Sequence, residues 1–453
     1  MMPGTQSRRA DQEHPTGAAV ARPSSARWWL MAPILLIFVI INQIDKSNVS
    51  VLIADPKFAA DLGAASLNNG VDHARLGFIS SAFFYGYGIS LMIWGFIVDR
   101  IGPRRSALIG VIGWALTSLW CAWAGGLTEM YAARFALGLA EGGLWPVCNK
   151  YVGHWFARSE HGRIQAFWFN GAQIGVAIGL PIVTSLLLAF GWRGVFLACA
   201  IASAAILLPV FGWLAPDEPS SSRWVNAAER SFIESHRPSP AARASQGLQF
   251  LRTMVFWMIA FCHGCLVASF FGLSTWIPTY LTKARGLTFS TMSFSVASAY
   301  LIPVLLALWI GHLADRKAEQ GSTPRAIVSA WTSAGMAILI VAGVNAPLTL
   351  VSMVLLVTSM AAPITQGAAN TALLHELVEP GQIGSATGLC VGVGNILGAA
   401  GPTVVGWFIS HAGGEYLGAF GFLGAVNLVQ GLVYWRIAAW ERARLPQLLD
   451  AVR

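Results

Sequence analysis

Residues 131–149 read YAARFALGLAEGGLWPVCN. The stretch is apolar enough to lie in a lipid bilayer, yet it carries two full charges, Arg134 and Glu141. Seven residues is nearly two helical turns, so both side chains leave the helix on one face, roughly 10 Å apart along its axis. A charge inside a membrane helix costs at least ~2.5 kcal/mol even on lenient scales. Such residues face a partner, a cavity or a substrate. The plain structural alternative is an ion pair that only ties helices together.

The surroundings of that stretch are of the same kind. The chain has 453 residues, 55% hydrophobic and 11% charged, with a mean hydropathy of +0.59. Soluble chains average about 25% charged residues, so this one has too little polar surface to cover itself in water. Nineteen Trp and 24 Phe suit lipid-facing belts. Nearly all six Cys fall inside apolar runs and read as small buried residues, not as a disulfide framework. Cys262-His263-Gly264-Cys265 has no second pair and sits in an apolar run, so no metal site is assigned.

Apolar runs of bilayer-spanning length recur along the chain. They cover 28–52, 75–98, 105–124, 128–152, 162–187 and 193–214, then 253–281, 291–314, 325–345, 348–374, 382–411 and 415–437. We number them spans 1 to 12. An even number puts both termini on one side. That side collects 22 of the 29 Lys and Arg, against five on the other (Lys57, Arg75, Arg193, Lys283 and Arg285), with Lys46 and Arg134 inside spans. The asymmetry predicts cytoplasmic termini. It also accounts for the net charge of +8 by contact with anionic lipid headgroups, without nucleic acid. The polar tail 1–27 shows no cleavable signal peptide.

The connection 215–250 is rich in Pro, Ser and charge and divides the chain into two halves of six spans. It reads as a solvated linker, with a possible surface helix over 224–236. The expected units are a tail 1–27, a bundle 28–214, the linker 215–250, a second bundle 251–437 and a tail 438–453. An internal repeat supports the halves. Gly95-x-x-x-Asp99-Arg100 ends span 2 and Gly311-x-x-x-Asp315-Arg316 ends span 8. Span 5 carries Gly171, Gly175 and Gly179, and span 11 carries Gly394, Gly398 and Gly401, each set followed by Pro. Glycine at every fourth position lets helices approach closely. One duplicated six-helix unit is the economical reading.

The loop Gly95-Phe-Ile-Val-Asp99-Arg100-Ile-Gly102-Pro-Arg104-Arg105 supplies a close-packing glycine, a tight turn at Gly102-Pro103, an Asp for cationic partners and two Arg for headgroups. It resembles the signature loop of the major facilitator superfamily. That resemblance implies an all-α membrane fold of 12 transmembrane helices in two pseudo-symmetric six-helix bundles. It also gives the loop (Gly95, Asp99, Arg100, Gly102, Arg104, Arg105) a role in conformational switching.

Span 1 contains Asn42-Gln43-Ile-Asp45-Lys46-Ser-Asn48. Adjacent charges on a helix point about 100° apart, so Asp45 and Lys46 need separate partners. The alternative is a Lys46 that snorkels to the surface beside an Asp45 that caps a helix end. Span 2 contains Phe83-Phe84-Tyr85-Gly86-Tyr87. Together with Arg134-x-x-x-Gly138-x-x-Glu141, Asn170-Gly171-Ala172-Gln173, Trp276-Ile-Pro278-Thr-Tyr280 and Gly394-Asn395, these pieces resemble the anion:cation symporter family. That family includes sugar-acid/H+ symporters and sialin and vesicular glutamate relatives. The resemblance implies that Asp45 and Glu141 carry the coupling protons and that Lys46 meets the substrate carboxylate. It further implies that Tyr87, Gln173 and Asn395 bond substrate hydroxyls and that Arg134 acts electrostatically near Glu141. Lys46 stands where the family has Arg, Leu91 where it has Gln, and Gly142-Gly143 where it has Ala-Pro.

All four deep charges lie in the first half; the second offers neutral groups such as Asn370 and Asn395, with His263 the nearest ionisable residue. The expectation is a monomeric bacterial inner-membrane symporter that takes up a hydroxylated organic anion. It would need no cofactor besides protons and no metal. Rivals are an antiporter or exporter on the same fold and a ligand sensor that does not transport. No nucleophile–base pair, metal cluster or phosphate loop marks an enzyme.

Overall fold

A computed structural model of the protein describes residues 25–64, 71–236, 249–300, 302–303, 305–306, 309–310, 325–378 and 382–452. An apolar run in lipid must satisfy its backbone within itself, and a helix does so. Nine helices among the described residues are long and apolar enough to cross a membrane. One of them, Arg158–Leu214, has 57 residues, far beyond the ~20 that one crossing needs. Gly191 breaks it at φ 69°, a backbone conformation that glycine adopts without strain, and so separates spans 5 and 6. Span 4 is divided into Leu127–Glu141 and Leu144–Trp155, and span 8 begins at Phe289–Ala299. With these the twelve runs are all accounted for. Span 2 extends to Ile101, and the last helix runs on from Leu417 to Val452. Gly311, Asp315 and Arg316, the second copy of the loop, lie outside the described residues.

The glycine spacing does what the repeat predicts. A Cβ on Gly175 would fall 2.6 Å from Gln43 Cβ, and one on Gly179 would fall 3.1 Å from Ile44, so span 5 lies flat on span 1. A Cβ on Gly394 would meet His263 at 2.6 Å, and one on Gly398 would meet Val267, so span 11 lies on span 7 in the same way. The two halves meet near the ends remote from the chain termini. There Thr184 bonds Ser293, Ser81 bonds Thr403 (2.7 Å), and the His73 N–H donates to Ser410 Oγ (2.9 Å). Deeper in, Phe84 stacks on Phe271 at 3.5 Å between ring centres.

The signature loop differs in part from its sequence reading. Asp99 pairs with Lys150 of span 4 at 2.7 Å, and Gly102 turns at φ 82°. Gly95 meets nothing within 4 Å of a built Cβ, so no close helix contact explains it here. Arg104 does not reach outward to headgroups. Its Nε donates to the Phe211 carbonyl (3.0 Å), its Nη2 to that of Gly212, and its backbone N–H to Asp217 (2.7 Å). It caps the end of span 6, whose last carbonyls have no helical partner. Arg100 and Arg105 are exposed. At the opposite end Asp61 accepts from Trp192 (2.9 Å) and Arg193 (3.0 Å), which together hold its carboxyl below the usual carboxylate range.

The linker also departs from expectation. Its helix, Ala227–His236, is anchored rather than freely solvated. Arg27, read as part of a polar tail, is buried at the start of span 1. Its guanidinium donates to Glu160 (2.9 and 3.0 Å) and to Glu229 (2.7 Å), with Phe232 over it at 4.9 Å. The backbone N–H groups of Ala26 and Arg27 reach the same Glu229 carboxylate. Glu229→Ala strands two buried backbone donors and leaves Arg27 with Glu160 alone, a loss of about 2 kcal/mol. We expect a lower melting temperature in detergent; an unchanged one would show that the linker helix is not held by this contact.

Candidate functional site

Span 1 sets one carboxylate and one ammonium on adjacent faces, and the helices around it treat them differently. Asp45 is 1% exposed. Its Oδ1 accepts from Asn48 (2.8 Å), and its Oδ2 from the Trp114 indole N–H and from Ser118 (3.4 Å). Spans 1 and 3 therefore hold Asp45 with three donors, and it caps no helix end. Lys46 turns the other way. Its ammonium rests 4.0 Å above the Tyr87 ring and 6.0 Å from that of Phe83, on the wall of a cavity between the halves, and does not snorkel away.

Phe83 and Tyr87 are four residues apart on span 2, and their rings stack at 5.8 Å. The Arg134 guanidinium lies 4.7 Å over the Phe83 ring. Both cations thus sit on one aromatic shelf, an interaction worth ~2 kcal/mol when desolvated. Arg134 is 1% exposed, and its Nε and Nη1 have no hydrogen-bond partner among the described residues. No ion pair joins Lys46 or Arg134 to Asp45 or Glu141 among the described residues. The notion of a purely structural ion pair between Arg134 and Glu141 therefore finds no support.

Glu141 closes the first half of span 4. Its Oε2 accepts from Asn42 (2.6 Å), while its buried Oε1 accepts from no donor among the described residues, and the Asp45 carboxyl lies within side-chain reach of it. Asp45, Lys46 and Arg134 are all near enough to act on its charge. Gly142 and Gly143 follow because Ser90 and Trp94 of span 2 press against their backbone; a Cβ on Gly143 would stand 2.8 Å from the Trp94 ring. A second space of about 10 Å³, the size of one water, touches Glu141 from the side of the chain termini, between Asn42, Ser106 and Trp114.

The cavity between the halves measures about 50 Å³ and is lined by Lys46, Arg134, Gln43 and Ser80 from one side. Ser274, Thr275 and Tyr300 line it from the other. Ordinary ligand pockets begin near ~300 Å³, so this is a contracted state. The structure does not bring every expected residue to it. Gln173 is part-buried on span 5 and is not on the cavity wall. Asn395 packs against Gly88 and bonds the Val391 carbonyl (2.8 Å), and Asn370 accepts from Tyr434 (2.8 Å) inside the second bundle. His263 packs against Gly394. Sequence reasoning missed Trp114, Ser118 and the polar pair Ser274-Thr275. The last had a signal: two adjacent hydroxyl residues in a largely apolar span.

A known structure shares this architecture. A bacterial homolog of the human lysosomal transporter Spinster, in an inward-facing and occupied conformation, superposes with a TM-score of 0.70 at 13% identity, covering 92% of this chain and 97% of that one. Among proteins of named role, the probable galactarate/D-glucarate transporter GudP of Bacillus subtilis is 26% identical over 434 residues, 91% of this chain and 92% of that protein. The probable sulfoacetate transporter SauU of Cupriavidus necator is 26% identical over 285 residues, and that match spans 64% of its length. Residues 35–389 match the sequence family described as the Major Facilitator Superfamily. The chain belongs to the Major Facilitator Superfamily and is a multi-pass membrane transporter of small molecules, not an enzyme.

Proposed function

We propose that the chain takes up a hydroxylated organic carboxylate, such as a sugar acid, together with protons. One observation carries the reading. A buried Arg134 and a part-buried Lys46 stand on aromatic faces at the cavity wall with no ion-paired carboxylate among the described residues, and Glu141 beside them has an oxygen that accepts from no donor among them. Charges so placed are costly unless an anion answers them. Lys46 offers it a point charge, Arg134 two N–H groups, and Ser80, Ser274 and Thr275 hydroxyl contacts. The names of the relatives, a probable galactarate/D-glucarate transporter and a probable sulfoacetate transporter, point to the same chemistry.

The anion binds favourably only when the nearby acid does not repel it. A carboxyl group removed from water accepts a proton more readily. Proton and anion therefore favour each other's binding, and the halves 28–214 and 251–437 rock about the cavity to expose it to each side in turn. In this reading the termini face the cytoplasm of a bacterium, and the water-sized space beside Glu141 is the proton's way out. The protein acts as a monomer, with Asp99, Lys150 and Arg104 holding the inner ends of the helices as the halves move. Purified protein in proteoliposomes with an alkaline interior should accumulate labelled D-galactonate or galactarate, and dissipating the pH gradient should abolish it. Accumulation of neither acid would overturn the proposal.

A further inference from the structure

We propose that the chain binds the phosphate of an anionic phospholipid in a groove at the edge of its first bundle, on the side of the chain termini.

The groove forms where span 6 ends and the linker begins. It measures about 540 Å³, within the range of ordinary ligand sites. Arg104, Trp213, Ser221, Ser222, Arg223 and Trp224 line it. Its indoles report its depth in the bilayer. Trp213, next to the last residue of span 6, is 78% exposed, and Trp224 is 40% exposed. Trp29, at the start of span 1, is 51% exposed and meets the Trp224 ring edge-on at 5.8 Å. Spans 1 and 6 thus present open indoles at the same end, and the headgroup layer is where such half-apolar rings settle. The linker turn that carries Ser221, Ser222 and Arg223 is held at that height by the Trp29–Trp224 contact.

The charge in the groove has one sign. Arg223 makes no ion pair and no hydrogen bond among the described residues; its guanidinium lies 4.8 Å over the Trp224 ring, with its N–H groups left to donate. Arg104 stays on the carbonyls of Phe211 and Gly212 and adds positive charge to the wall. No acidic residue lines the groove. The nearest in sequence are engaged elsewhere: Asp217 accepts from the Arg104 backbone N–H (2.7 Å), and Glu218 pairs with His154 (3.3 Å).

Neutral donors complete the set. The backbone N–H groups of Ser221 and Ser222 close the turn onto Glu218 and Pro219, so their hydroxyls face the groove as the polar groups that remain. Ser222 Oγ accepts from the Trp224 N–H (3.3 Å) and keeps its own proton to give. A planar guanidinium with two hydroxyls beside it matches the oxygens of a phosphate. At headgroup depth the phosphates at hand belong to lipids, whose chains would run down past Trp213. A zwitterionic lipid fits less well, because its ammonium group finds no carboxylate on the lining.

Arg223 is the residue to test, since it is exposed and bonds nothing, whereas Arg104 caps span 6. The full chain in detergent is titrated with dioleoylphosphatidylglycerol, dioleoylphosphatidylcholine or glycerol 1-phosphate, and bound molecules are counted by native mass spectrometry. The wild type should hold its first phosphatidylglycerol roughly tenfold more tightly than phosphatidylcholine and should hold no glycerol phosphate. Arg223→Gln should weaken that first phosphatidylglycerol by roughly tenfold and leave phosphatidylcholine unchanged. Equal retention of phosphatidylglycerol by the variant and the wild type would overturn the proposal, because the lipid would then bind elsewhere. Glycerol phosphate held as tightly as the lipid would overturn it in favour of a site for a free phosphate. Equal affinity of the wild type for the two lipids would overturn it as well.

Discussion

Proteoliposomes containing Glu141→Gln should exchange labelled for unlabelled substrate at near the wild-type rate. Their accumulation against a gradient should fall by on the order of a hundredfold. The reason is local. The amide keeps the length of Glu141 and still accepts from Asn42, whose donor stands 2.6 Å from Oε2. Its NH2 group can donate to the Asp45 carboxylate, which lies within side-chain reach of residue 141. The variant is therefore a fixed copy of the proton-loaded carrier. It binds an anion between Lys46 and Arg134 and crosses with it. It cannot return unloaded, because two cations then face only Asp45. Exchange needs no unloaded return, whereas accumulation does. Counterflow and net uptake on the same vesicles separate the two. Retained accumulation with an unchanged pH dependence would place the proton elsewhere.

The four deep charges were legible in the sequence for an energetic reason. A charged residue within an apolar span is too costly to be incidental, so Asp45, Lys46, Arg134 and Glu141 stood out without any structure. The fold was legible for a related reason, since lipid leaves a backbone few choices and the glycine repeats in spans 5 and 11 carry the pseudo-symmetry. What stayed hidden was neutral or ambiguous. Phe83 and Trp114 look like ordinary packing residues in a sequence, yet one supports Arg134 and the other holds Asp45. Arg104 at a membrane edge reads the same whether it meets headgroups or caps a neighbouring helix; only the carbonyls of Phe211 and Gly212 decide it. The linker read as solvated because its composition is polar, but a single buried glutamate, Glu229, docks it. The far wall of the cavity was the least legible part. Ser274, Thr275 and Tyr300 face residues about two hundred positions earlier, and no local pattern reports such a pairing.

Arg134→Gln should raise the stability of the ligand-free protein while it removes binding. This sign sets a functional residue apart from a structural one. Arg134 is buried, and its Nε and Nη1 have no hydrogen-bond partner among the described residues, so the Phe83 face and the more distant charge of Glu141 offset only part of the cost of its charge. The lenient cost, ~2.5 kcal/mol, exceeds the ~2 kcal/mol of a desolvated cation–π contact. A neutral amide of shorter reach relieves that imbalance, and the melting temperature should rise by about 1 °C for a bundle of this size. Binding should respond in the opposite sense. Losing a buried charge-assisted contact to a carboxylate costs 2–5 kcal/mol, about a thirtyfold loss of affinity at the least. The thermal shift that D-galactonate produces in the wild type should accordingly vanish. Lys46→Gln should weaken binding as well, but less, because a lysine supplies one point charge where Arg134 offers a planar fork. If Arg134→Gln instead melted lower and kept its ligand-induced shift, Arg134 would be part of the scaffold, and the anion would have to be held by Lys46 alone.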